Sequence, residues 1–72
     1  MINVELKTCY DEASKNVIDY FTFETVEEAI KEMKLFSEHR NQMVGMRKVK
    51  NFLVTLKNES NNTIKQYVIS YE

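Results

Sequence analysis

The chain has 72 residues, a net charge of −1, 43% hydrophobic residues, one glycine, no proline and a single cysteine, Cys9. That length allows one domain and one core, because a chain this short buries only about 60% of the surface its unfolded form exposes. A lone thiol excludes an internal disulfide, and no apolar run approaches the roughly 18 residues of a spanning helix.

The start, Met1-Ile2-Asn3-Val4-Glu5, lacks the basic and then apolar order of a signal peptide. Together these features read as a soluble cytoplasmic chain with no call on a membrane. Lysine (8), asparagine (7) and isoleucine (5) are frequent and alanine (2) is scarce, a bias that follows AT-rich codons and hints at a low-GC bacterium or one of its phages.

From the start, Ile2, Val4, Leu6, Thr8 and Tyr10 alternate with Asn3, Glu5, Lys7 and Cys9, the period-two pattern of a strand with one buried face. A polar stretch over residues 11–16 suits a turn. Val17 to Phe23 is dense in β-branched and aromatic residues, as strands are. Val17, Asp19, Phe21 and Phe23 share one face, and Ile18 and Tyr20 occupy the other.

Thr25-Val26-Glu27-Glu28 fits a capping box, in which the Thr25 hydroxyl accepts from the Glu28 amide. A helix is expected over roughly 25–39. Val26, Ala29, Ile30, Met33 and Phe36 make its apolar stripe, while Glu27, Lys31, Glu32, Lys34 and Glu38 face water. Its end is expected near His39 to Asn41, where cationic groups suit the negative end of the helix dipole.

Residues 41–48 hold the only glycine, Gly45, and no firm period, so they read as a loop, the alternative being a helix that runs further toward Val44. Val49 to Lys57 is a third strand, with Phe52, Val54 and Leu56 on one face and Val49, Asn51, Leu53 and Thr55 on the other. Asn58 to Asn62 is a turn, because asparagine tolerates the left-handed backbone that glycine usually supplies. Ile64 to Tyr71 completes a fourth strand.

The order is ββαββ: a single α+β domain over residues 1–72, with a four-stranded sheet and one helix on one face. Hairpin, helix and hairpin in so short a chain resembles the layout of small β-grasp domains, and the resemblance implies a fold and no functional residue. A plain antiparallel meander with the helix laid across it fits the same order.

Catalysis finds little support among these residues. Cys9 and His39 lie on separate elements and give no nucleophile–base pair, and one cysteine with one histidine cannot supply the three or four ligands of a zinc site. The acidic pairs read as a solvated helix face and turn polarity. One glycine makes no phosphate-cradling loop. The expectation is a protein that is not an enzyme, with no cofactor, no metal and no small-molecule substrate.

Two surface features remain. Residues 1–38 hold nine acids against four lysines, and residues 39–72 hold six basic residues against two acids. Such asymmetry points to an interaction surface. Glu27, Glu28 and Glu32 could set orientation against a basic partner, and Arg40, Arg47, Lys48 and Lys50 could meet phosphates, which makes nucleic acid the second-choice partner.

The stronger feature is the sheet's second face. One helix covers one face, yet three of the four strands carry apolar residues on both. Ile18, Tyr20, Val49, Leu53, Tyr67 and Tyr71 are expected there, as an uncovered, tyrosine-rich docking surface. The expected partner is a protein, either a second copy making a homodimer or a larger host protein. An accessory factor that inhibits or redirects a bacterial enzyme is one role such a surface would serve.

Overall fold

The computed structural model describes residues 1–10, 16–43 and 49–71. Strand β1 (Ile2–Tyr10) and β2 (Val17–Phe23) form the first hairpin, α1 (Val26–Met43) follows, and β3 (Val49–Lys57) and β4 (Thr63–Ser70) form the second. The chain is a small α+β domain. Its four strands form one sheet in the order β2-β1-β3-β4, and all three pairings are antiparallel. Because β2 and β3 both run against β1, they are parallel to each other, with β1 between them. A parallel relation needs a crossover, and α1 provides it.

The strands sit where the alternation of the sequence puts them. α1 differs: it runs to Met43, beyond the expected end near His39 to Asn41. The helix begins as expected, with the Glu28 amide donating to Thr25 Oγ1 at 3.1 Å and the Ala29 amide to the Thr25 carbonyl at 3.1 Å. Nothing between His39 and Met43 is a helix breaker. Arg40 also has a reason to stay helical, because its side chain is anchored to the sheet.

α1 packs over β1, β2 and β3. Val4, Leu6, Ala29, Met33, Val49, Phe52, Val54 and Leu56 form the core, with Phe21, Phe23, Phe36, Tyr67, Ile69 and Tyr71 packed around it. The shortest dimension of the molecule is 16 Å, as two layers require.

The β3–β4 turn is held by Asn58, whose Oδ1 accepts from the amides of Ser60 and Asn62, each at 3.0 Å. Asn61 takes the left-handed conformation with φ 65°, the role its neighbourhood predicts for an asparagine.

Candidate interaction face

Cross-strand register assigns every described strand residue to a face, because directly opposed residues point the same way. Val4 is opposed by Phe21 and Leu56, Leu6 by Asp19 and Val54, and Thr8 by Val17 and Phe52; these share the face on which α1 packs, with Val17 exposed at its margin. Lys7 is opposed by Ile18 on one side and Leu53 on the other, and Leu53 by Val68. The row Ile18–Lys7–Leu53–Val68 therefore crosses all four strands on the side away from the helix.

The next row on that open side is polar apart from the Tyr20 ring: Tyr20–Glu5–Thr55–Gln66. Two contacts tie the polar positions down. Gln66 Nε2 donates to Thr55 Oγ1 at 2.9 Å, and Lys57 Nζ lies 3.6 Å from Glu5 Oε2. The apolar side chains have no such cover: Tyr20 is 74% exposed, Val68 57% and Ile18 45%. Leu53 is half-buried between its strand neighbours, and the Lys7 side chain stands in the middle of the row.

Three residues expected on this face are elsewhere. Val49 is buried at 2% exposure in the core, because the β1–β3 register shifts between Cys9 and Tyr10. Tyr10 is opposed by Val49 and Cys9 by Asn51, so Lys50 has no opposite residue on β1. Such a bulge breaks strict alternation and turns Val49 to the other side. Tyr67 and Tyr71 also lie on the helix side. Alternation in β4 separates Tyr67, Ile69 and Tyr71 from Gln66, Val68 and Ser70 but cannot say which set faces α1; opposition of Tyr67 to Val54 decides it. Ile18, Tyr20 and Leu53 do lie on the open face. Val68, which the sequence reading did not single out, joins them.

The basic residues are divided in the same way. Arg40 is not a free surface cation: its Nη1 donates to Asp19 Oδ2 at 2.7 Å and to Thr8 Oγ1 at 3.0 Å, and its guanidinium lies 4.7 Å from the centre of the Phe36 ring. These bonds tie the last turns of α1 to β1 and β2. Lys50 is exposed, whereas Arg47 and Lys48 lie outside the described residues. Glu27, Glu28 and Glu32 are exposed on the outer face of α1, far from the open side of the sheet.

Behind the helix two further polar groups are buried. Ser37 Oγ donates to the Lys34 carbonyl at 2.9 Å, which leaves it to accept from the Tyr71 hydroxyl at 3.2 Å. The Tyr67 hydroxyl is buried with no hydrogen-bond partner among the described residues, and burial pushes its phenol above the ordinary value. Cys9 is half-buried on the open face, with its thiol 4.0 Å from the Lys7 carbonyl. Among the described residues no group of three or more His, Cys, Asp or Glu side chains is placed to hold a metal ion. No helix among them is long and apolar enough to cross a membrane.

Comparison of the chain with family models, with characterised proteins and with solved structures found no match.

Proposed function

We propose that this chain is a non-catalytic interaction module that docks a larger protein, one it inhibits or redirects, onto the open face of its sheet. The observation that supports the reading is the row Ile18–Lys7–Leu53–Val68 with the Tyr20 ring beside it, uncovered on the side away from α1. A rigid sheet presenting aliphatic side chains and one tyrosine is the composition of an interface centre. The Lys7 stem adds apolar area, and its ammonium suits a carboxylate on the partner. A complementary surface would be apolar, with a slot for the Tyr20 ring and an acidic group near its middle.

Nucleic acid is the poorer fit, because Arg40 spends its guanidinium on Asp19, Thr8 and Phe36. The reading is tested by quantitative capture from cell lysate with four baits, the wild type and three variants. A protein held by the wild type is expected to be lost with Leu53→Glu and with Tyr20→Ala, and retained with Leu35→Glu on the exposed outer side of the helix. Retention by both sheet variants overturns the reading. Binding to heparin at about 0.1 M salt that disappears on neutralising Lys50 moves the function to phosphate recognition.

A further inference from the structure

We infer that the outer edge of β4 pairs with the β4 of a second copy of this chain, in one register, with the two-fold axis at Val68. This goes beyond the face reading above, since a sheet edge and a sheet face are separate surfaces.

β4 is the strand the helix covers least: α1 packs over β1, β2 and β3. Its outward backbone is available. The Tyr71 amide donates to the Lys50 carbonyl at 3.4 Å, which assigns the odd residues of this strand to β3. By antiparallel alternation Gln66, Val68 and Ser70 direct their amides and carbonyls away from the sheet. An edge of this kind is a template for another strand.

Self-pairing must put like faces together, so the axis has to pass through a residue and not between two. The possible centres are few. An axis at Gln66 draws Ile64 into the ladder, and Ile64 is the residue without an opposite number where the β3–β4 register shifts. An axis at Tyr67 sets Gln66 against Val68 and Lys65 against Ile69, polar on apolar at both positions. An axis at Ile69 sets Val68 against Ser70.

At Val68 every pair matches. Val68 meets its own copy across the axis, which shields one flank of the most exposed aliphatic side chain of the sheet, 57% exposed, and leaves its outer surface on the open face. Gln66 faces Ser70 of the second copy, hydrogen-bonding group to hydrogen-bonding group. On the helix side Tyr67 faces Ile69, both already half-buried. Lys65, the one charge on this edge, faces the ring of Tyr71; in the single chain its ammonium already sits 5.9 Å from the Tyr67 ring centre.

The other edge is guarded. Asp19 lies mid-strand on β2, on the helix side, held by Arg40 at 2.7 Å. The three central registers, with the axis at Asp19, Tyr20 or Phe21, set that carboxylate against itself, against Phe21 or against Phe23, and an inward charge of this kind discourages edge pairing.

Pairing along one strand buries less than the roughly 1,200 Å² of a firm interface, so the dimer is concentration-dependent. The product is a continuous eight-stranded sheet with two open faces side by side.

Light scattering on the whole chain, from about micromolar to about millimolar, is expected to show the mass double. Val68→Pro removes only an outward amide, leaves the ladder to β3 intact, and is expected to stay monomeric with unchanged far-UV circular dichroism. Should that variant not fold, register still decides the matter. In a Cys9→Ser background, Val68→Cys places two thiols across the axis and is expected to form a disulfide dimer at least about tenfold faster than Gln66→Cys, whose copies lie apart. Equal rates, or a chain that stays monomeric throughout, overturn the inference. Self-association lost with Leu53→Glu but not with Val68→Pro also overturns it, while leaving the face reading intact.

Discussion

Tyr67 is a residue whose hydroxyl works against the fold. The ring packs against the core beside Val54, but the buried oxygen has no partner among the described residues and forfeits the hydrogen bonds it had with water. Tyr67→Phe keeps the packing and removes the unpaired group, so it is expected to raise the unfolding free energy by about 1 kcal/mol in urea titration at neutral pH. The sign of the pH effect follows from the raised phenol. The fold holds the neutral form, so this contribution is intact below about pH 10, the value in the unfolded chain, and is lost as pH rises through the higher folded value. Wild type is therefore expected to lose stability more steeply than Tyr67→Phe above about pH 10. Asn61 is the opposite case, a residue whose conformation could be read from sequence. Its φ of 65° strains a Cβ, so Asn61→Gly is expected to be near neutral and Asn61→Val to cost about 1 kcal/mol or more.

At the scale of elements, what could be read depended on whether the information was local. The start of α1 was legible because a cap is a local contact between Thr25 and Glu28; Thr25→Ala is expected to cost about 1 kcal/mol in thermal or urea unfolding. The end of α1 was not legible, because what holds it is Arg40 reaching residues far away in sequence, Thr8 and Asp19. Arg40→Ala strands the Thr8 hydroxyl, which is fully buried, and leaves the Asp19 carboxylate without its cation. A loss of about 1–2 kcal/mol is expected, discounted because the ion pair is partly exposed. Arg40→Lys is expected to recover only part of it, since an ammonium cannot span both acceptors and the Phe36 ring. Hydrogen exchange in the last turns of α1 should quicken in both variants. The same locality explains Val49 and the β4 tyrosines. Alternation within a strand gives two sets of residues; a bulge at Lys50 and the opposition of Tyr67 to Val54 depend on a neighbouring strand, which a single strand's pattern does not contain.

For the whole molecule, the number of layers decides what is core and what is surface, and adjacent residues of β3 show it most sharply. Phe52 is fully buried under α1, stacked edge-on to Tyr71 at 5.7 Å; Leu53, one step along, points to the side away from α1, which no described element covers. The sequence gives both the same strand and similar size, and only the sheet's single helix separates their roles. Phe52→Ala leaves a cavity that the surrounding Val, Leu and Met side chains cannot close, so a loss of about 3–5 kcal/mol is expected. Small domains fall toward the low end of the usual range of about 5–15 kcal/mol, so in a 72-residue chain such a loss removes most of the margin against unfolding. Leu53→Ala removes apolar area that was already partly in water, and a loss below about 1 kcal/mol is expected. Urea denaturation of the pair, read by circular dichroism with the slopes checked for equality, separates the two. Equal losses would mean that Leu53 is covered within one chain, and the open face would then be a second core wall with nothing left to dock.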